Sequence, residues 1–359
     1  MGLPGAGAIP EDGPVGAGRA AATAELLELV RREYPLNEVT LVRDLGGNFN
    51  LNLQVATDQG AMVVRVSPEW VEADRLAAVQ AVREYLRGRT WPIPETMRTR
   101  SSRSWARLHG CLVEVEHYVE PRGTSMTTWP AISAGIQWFA RLHDDLRAAP
   151  ASPAATHPPM ANHVEADAVL DPTIAKIRTW NLSAEETTYV AAAEALASRL
   201  GQESPAVDLP RQLVHGDFWA TNVYLAGDQL TLLLDLDFLG ERPRIDDLAL
   251  TLFFINEHLG RNDTSPSRIA ALRELVDRYD ATLTTPLSPA ERTALPYAVL
   301  RTPLTFLRDL AHLGPSSRTE LTTLRGPQYE WALRVLSIPG WHTAFSCGSR
   351  RQSWRGLRS

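Results

Sequence analysis

The sequence has a single lysine. Lys176 is one of 36 Lys and Arg residues, so almost all the positive charge is carried by arginine. Cysteine is also scarce. Cys111 and Cys347 lie far apart and without metal-ligand spacing, which excludes a disulfide framework and fits a reducing cytoplasmic compartment. No apolar run approaches the roughly 20 residues of a membrane span, so a membrane partner is not expected. The net charge is −6, and a nucleic-acid partner, which would call for a basic face, is not expected either. The start, Met-Gly-Leu-Pro-Gly-Ala, has neither a basic n-region nor an apolar core, so no signal peptide is expected. No internal repeats are visible.

What is present suffices for two cores. The 359 residues predict two lobes between two tails. Residues 1–20, rich in Gly, Ala and Pro, are expected to be disordered, as is the short basic end, 346–359. Between them the pattern divides near Pro121-Arg122-Gly123, giving lobes 21–120 and 121–345.

The first lobe opens with a helix over 22–33 and three strands over 39–45, 51–56 and 62–66. The first turn is Gly46-Gly47-Asn48-Phe49-Asn50 and the second Asp58-Gln59-Gly60. Gly46, Gly47 and Asn48 suit either an ordinary hairpin turn or a backbone cradle for an anion. Arg65 alternates with Val64 and Val66 and therefore lies on the opposite face of its strand. A helix follows over 69–87, then a hairpin of strands over 98–109 and 111–119. The second lobe is mainly helical. Helices are expected over 129–146, 166–180, 184–200, from Asp247 to about 258, 266–283 and 289–313. His143 reads as a packed or capped histidine.

The chemistry is concentrated in His215-Gly216-Asp217-Phe218-Trp219-Ala220-Thr221-Asn222 and the Asp235 that follows it. Residues 223–226 read as a strand, Gly227-Asp228-Gln229 as a turn, and 230–234 as an apolar strand running into Asp235. Such a hairpin returns Asn222 and Asp235 to the same end. Two oxygen ligands from adjacent strand ends suit magnesium, which takes its remaining ligands from water and substrate phosphates.

This pattern resembles the aminoglycoside phosphotransferase and choline kinase superfamily of small-molecule kinases, which has a protein-kinase-like fold. The resemblance rests on His215-Gly216-Asp217, Asn222, Asp235 and Asp247-Leu248-Ala249, with the family's spacing of twelve positions between the two last aspartates. It implies a bilobal α+β fold, with a small antiparallel β lobe for the nucleotide and a larger helical lobe with a helical insertion. It implies ATP and magnesium. Asp217 becomes the catalytic base, Asn222 and Asp235 metal ligands, and His215 and Asp247 structural supports. Asp237 is either their partner or a solvated strand-end acid. Arg65 takes the place of the strand-three lysine, and Gly46, Gly47 and Asn48 that of the phosphate-covering loop. Residues 115–119 become the hinge beside the adenine base. The helix glutamate that pairs with such a cation is missing. Gln80 falls near its position and Glu84 competes one turn on.

Gly216 lacks the arginine found there in kinases switched by activation-loop phosphorylation, which favours a small-molecule acceptor. Glu241, Asp246, Glu257 and Asp263 would suit a cationic antibiotic, while metabolite kinases of the homoserine or choline type share the same motifs. Asn256, Glu257 and His258 read as substrate contacts or as a solvated helix end. Arg301 and Arg308 meet an acidic substrate or water. A nucleotide-binding pseudokinase is the remaining alternative.

Overall fold

The computed structural model describes residues 20–346. The glycine-rich leader up to residue 19, and Cys347 with the arginines beyond it, lie outside the described residues. The chain divides into two compact units. One runs to Pro121 and takes in Leu232–Leu234; the other holds Arg122–Thr231 and the residues from Asp235 on.

The first unit is a five-stranded antiparallel sheet with two helices. Its elements are α1 (Ala24–Glu33), β1 (Val39–Asp44), β2 (Leu51–Thr57), β3 (Gly60–Val66), α2 (Ala73–Gly88), β4 (Ala106–Leu108) and β5 (Cys111–His117), in sheet order β1-β2-β3-β5-β4. Alternation selects the faces. Leu51, Leu53 and Val55 of β2 and Met62, Val64 and Val66 of β3 turn to one side, against Leu26, Leu29 and Val30 of α1. The Tyr34 hydroxyl closes this core by donating to the Val113 carbonyl at 2.7 Å. Arg65 lies on the other face, opposite Asn52 of β2 and Glu114 of β5.

The second hairpin is shorter than its sequence suggests. Only Ala106–Leu108 is strand on its first side, paired to β5 across a His109-Gly110 turn with both φ positive. Residues 98–105 form a loop instead. Polar side chains take over from the ladder there: Thr99 closes a turn by accepting from the Arg103 N–H, and Ser102 has φ +62°.

The second unit is mostly helical. It contains β6 (Thr124–Ser125), α3 (Trp129–Leu146), α4 (Pro153–Thr156), α5 (Asp171–Arg178), α6 (Ala184–Glu203), β7 (Arg211–Val214), β8 (Val223–Ala226), the start of β9 (Gln229–Leu233, whose last two residues count with the first unit), β10 (Gly240–Pro243), α7 (Arg244–Gly260), α8 (Pro266–Thr282), α9 (Pro289–Arg301), α10 (Pro303–Leu313), α11 (Arg318–Glu320) and α12 (Gly326–Leu336). Strands β7 and β10 pair antiparallel. The segment Leu321–Arg325 joins α11 to α12 as a π-helix. Among the described residues no helix is long and apolar enough to cross a membrane.

Start signals act locally. Ser183 with Glu186 and Ser288 with Glu291 are complete capping boxes at the starts of α6 and α9. Two expectations are corrected by prolines. The helix expected over 289–313 is two helices, because Pro303 has no N–H to continue the ladder and begins α10 instead. The helix expected from residue 166 starts only at Asp171, with Pro172 in its first turn.

A buried ion pair locks the base of α7 to α9. Arg244 Nε donates to Glu291 Oε1 at 2.7 Å, and its Nη2 to Oε2 at 3.1 Å. The same guanidinium reaches the Thr285 and Pro286 carbonyls. Burial opposes the charge on Glu291, but Arg244 and the Ser288 N–H hold its carboxyl below the usual range. Replacing Glu291 by Ala should therefore cost about 3 kcal/mol or more. A denaturant titration with an unchanged midpoint would contradict this.

Candidate active site

The segment between β7 and β8 is buried through its first half, with Asp217 half-buried between buried neighbours. His215 and Phe218 are fully buried, and the Phe218 ring stacks on Phe139 of α3 at 4.4 Å. Gly216 sits between them with φ +84°. A Cβ there would lie 2.4 Å from the Phe238 carbonyl oxygen and 2.6 Å from Arg242 Nη2. The close approach of the Phe238 backbone thus demands glycine at this position, independently of any regulatory role.

Helix α7 holds this segment from one side. Asp247 Oδ1 accepts the Gly216 N–H at 3.0 Å, and one turn on the Thr251 hydroxyl donates to the Phe218 carbonyl at 3.1 Å. Asp247 is fully buried. Burial raises its pKa, but the His143 hydrogen bond and the charges of His143 and Arg242 outweigh that and hold it below the usual range. His143 Nε2 donates to Asp247 Oδ2 at 3.1 Å, and its Nδ1 meets the Tyr279 hydroxyl of α8. Asn162 adds a further tie, donating to the Gly216 carbonyl at 3.1 Å. The His215 Nδ1 accepts the Asp217 N–H at 3.2 Å.

With its backbone fixed on both sides, Asp217 presents its carboxylate to Asn222. The Asn222 amide nitrogen donates to Asp217 Oδ2 at 2.9 Å and to the Asp217 carbonyl at 3.0 Å. That orients the amide oxygen away from Asp217. Burial pushes the Asp217 carboxyl up to about 6; the Asn222 bond works against this, while the charges of Asp247 and Asp237 add to it. Asn222 ends a single 3-10 turn and leads directly into β8. Asp235 follows β9 by two residues, in the left-handed region at φ +58°, and accepts the Asp237 N–H at 3.3 Å. The antiparallel hairpin therefore has Asn222 at its entry and Asp235 beyond its exit, at the same end.

The structure thus brings His215, Gly216, Asp217, Asn222 and Asp247 into one bonded network. Arg65, Gly46, Gly47 and Asn48 belong to the first unit. There Gly46 has φ +82° and Gly47 +130°. The Gly46 N–H donates to Asp44 Oδ1 at 2.8 Å, and the Gly46 carbonyl accepts from Asn52 Nδ2 at 2.8 Å. A Cβ at Gly47 would lie 2.7 Å from that same Asn52 nitrogen. Near Arg65, Gln80 donates to Glu114, and Glu84 pairs with Arg98.

Several candidate substrate contacts are engaged by the protein itself. Arg301 donates to Asp246 at 2.7 Å and to the Val164 carbonyl, and Arg308 donates to the His163 carbonyl. Neither arginine is left to water alone. Glu241 lies 3.9 Å from Arg211, Glu257 accepts from Gln328 at 2.9 Å, and Asp263 accepts from Arg268 at 3.3 Å. Asn256 and Glu257 are not a solvated helix end, because α7 continues to Gly260 and Asn256 is fully buried. His258 is exposed, edge-on to Trp219, and donates to the Thr127 carbonyl at 2.7 Å.

One further acidic group, His163 with Glu165 and Asp246, has metal-like spacing among the described residues. Its chemistry is that of an ion-pair network. Arg242, which can only donate, occupies His163 Nδ1, Arg211 occupies Glu165, and Arg301 occupies Asp246.

The model of the phosphotransferase enzyme family matches residues 40–289. The chain belongs to this family. Among curated proteins it is similar to the homoserine kinase of Zymomonas mobilis, 22% identical over 218 residues. That alignment covers 57% of this chain and 61%, less than two thirds, of the relative. Among solved structures it is similar to a microcompartment-associated aminopropanol kinase, with TM-score 0.65, 17% identity, and 88% and 98% of the two chains covered. It is similar also to an amicoumacin kinase in complex with AMP-PNP, Ca2+ and Ami, with TM-score 0.63, 12% identity, and 86% and 93% covered. The α+β fold expected from the sequence is therefore shown, and it is the fold of small-molecule kinases.

His143, read as a packed histidine, is indeed buried and bonded, but its link to Asp247 escaped the sequence reading, as did Asn162 and Arg242. Each acts on the 215–222 segment from a distant part of the chain, and nothing in its own neighbourhood marks it. Gly216→Ala should lower turnover by about a hundredfold, because even a 1 Å displacement of positioned groups costs that much. A steady-state assay showing near-normal turnover would contradict the packing argument.

Proposed function

We propose that this chain transfers the γ-phosphoryl group of ATP to a hydroxyl of a small molecule. The observation that carries this reading is the Asp217–Asn222 pair, a half-buried carboxylate bonded at 2.9 Å to an amide whose oxygen is turned outward. The acceptor oxygen attacks the γ-phosphorus, its bond to phosphorus forms as the bond to the β–γ bridging oxygen breaks, and ADP leaves. Asp217 orients the acceptor hydroxyl and takes its proton. A carboxyl pushed up to about 6 is a better match to that proton than an ordinary one, while still ionised at neutral pH.

The donor set fits magnesium. Asn222 Oδ1 and the Asp235 carboxylate are hard oxygens at one end of a hairpin, and the mutual repulsion felt by Asp217 from Asp237 and Asp247 suits a site that gains a divalent cation. Asn222 and Asp235 would hold the ion, which when bound neutralises charge on the nucleotide phosphates. His215 and Asp247 keep the loop in place. Arg65 contacts the phosphates and the turn at Gly46, Gly47 and Asn48 covers them. Because the Gly46 N–H is already bonded to Asp44, anion contacts from that turn fall to Gly47 and Asn48.

For the acceptor, the engaged acids support one of the readings. Asp246 is paired with Arg301, Asp263 with Arg268, and Glu257 with Arg261, while Gln328 also donates to Glu257. This removes most support for an acidic pocket that recognises a polycationic aminoglycoside-like antibiotic. A small amino alcohol or hydroxy amino acid, of the homoserine or choline type, fits better. The likeness to a homoserine kinase and an aminopropanol kinase points the same way. A pseudokinase has no chemical need for Asp217, Asn222 and Asp235 together.

In a magnesium-ATP assay, homoserine, choline and aminopropanol should each be turned over faster than a polycationic antibiotic; the reverse order overturns the acceptor class. Asp217→Asn should lower kcat by about 10²–10⁴ with little change in nucleotide affinity. Parallel losses of both would remove Asp217 from the proton-transfer role. Chelation of divalent ions should abolish turnover, and Asn222→Ala should raise the magnesium concentration needed to restore it.

A further inference from the structure

We propose that Glu114, on β5, supplies the counter-charge that positions Arg65, and that Gln80 and Arg83 of α2 hold Glu114 in turn. The link between strand and helix is thereby kept with its charges exchanged, the carboxylate on the sheet and the cation on the helix. The inference rests on the assignment of Arg65 to the nucleotide phosphates.

The register places Glu114 directly opposite Arg65, on the same face of the β3–β5 pair. Directly opposed side chains in an antiparallel pair start about 5 Å apart at Cβ. Glu114 is buried, at 3% exposure. A buried carboxylate requires partners. Gln80 Nε2 donates to Glu114 Oε1 at 2.5 Å, and Arg83 Nη1 lies 3.6 Å from the same oxygen. Arg83 Nη2 bonds the neighbouring buried acid, Glu116. Burial raises the Glu114 pKa, with the charges of Arg83 and Arg65 both acting against it.

This arrangement explains glutamine at position 80. Its amide donates to Glu114, which a glutamate could not do while ionised. A second carboxylate 2.5 Å from the first would force one of them to take up a proton. Glu84 is not a substitute, because it is exposed and bound to Arg98. A groove of about 260 Å³ borders Gln80 and Arg83.

The test measures binding of magnesium AMP-PNP by titration calorimetry to the full chain and to Arg65→Ala, Glu114→Gln, the double variant, and Gln80→Glu, with thermal melts for each. Glu114→Gln should weaken nucleotide binding by about tenfold, the scale of one charged hydrogen bond. In the Arg65→Ala background it should have no effect, which a merely structural role would not produce. Gln80→Glu should also weaken binding. Unchanged or tighter binding in Glu114→Gln, alongside weaker binding in Arg65→Ala, overturns the role of Glu114 alone. Tighter binding in Gln80→Glu overturns it as well, by showing that the helix is the proper source of the acid, and this holds even if Glu114→Gln does not fold. Unchanged binding in Arg65→Ala overturns the phosphate assignment itself.

Discussion

The candidate site depends on one buried carboxylate. Asp247 is the fourth residue of α7 and has no access to water. Such a group is tolerated only if every lone pair is used. Here one oxygen accepts the Gly216 N–H and the other the His143 ring. These two bonds join α7, α3 and the 215–222 segment. The ring's other nitrogen meets Tyr279, which brings in α8. The position of Asp217 is thus set by three helices and a strand, none of which carries the reacting groups itself. Positioning of this kind is what phosphoryl transfer asks of a protein, since the transition state is loose and little covalent chemistry is required.

Local signals made much of this legible. Helix α3 begins and ends where its apolar spacing indicates, and the β8–β9 hairpin follows from two short apolar runs around Gly227. The bond between Asp217 and Asn222 follows from a five-residue separation across a tight turn. Partners from distant segments were not legible. His143 carries no mark of its attachment to Asp247, 104 positions away, and Asn162 none of its bond to Gly216. Periodicity reports which face of an element is buried, but not which polar group will be found opposite. The same limit applies at Arg65. Spacing along a helix can be counted from the sequence, whereas the register of two strands far apart in sequence cannot.

The near-absence of lysine has a structural counterpart. Arg244 meets a carboxylate through Nε and Nη2 and two carbonyls through Nη1 and Nη2, and Arg301 joins a carboxylate to a carbonyl of a different segment. Arg292 reaches Asp280 and the Phe345 carbonyl from a buried position. Each junction uses the forked guanidinium to satisfy several acceptors at once. The compact ammonium of a lysine would leave some of them unpaired. These arginines also fix where negative charge can act. They engage Glu291, Asp246 and Asp280, while the charges that act on the Asp217 carboxyl are those of Asp247 and Asp237.

That selectivity bears on how one chain keeps two kinds of aspartate. Asp247 is fully buried and Asp217 half-buried, and burial alone would raise both pKa values. Asp247 is instead held low, because it receives a histidine, a backbone N–H and the nearby Arg242 charge. Asp217 receives a neutral amide and two acidic neighbours, and it is pushed up. The deeper carboxylate is the one held low, so the difference lies in the partners. A carboxylate with its lone pairs filled by fixed donors is a structural element, and one left short of donors keeps its affinity for a proton. Asn222 is what keeps the second case from going too far. Its amide gives Asp217 one donor, enough to fix the rotamer and to favour the ionised form near neutral pH. An arginine at position 222 would lower the Asp217 pKa further and weaken it as a base, and it would offer no oxygen to a metal. A neutral carboxamide meets both requirements, with its nitrogen on Asp217 and its oxygen facing the other way.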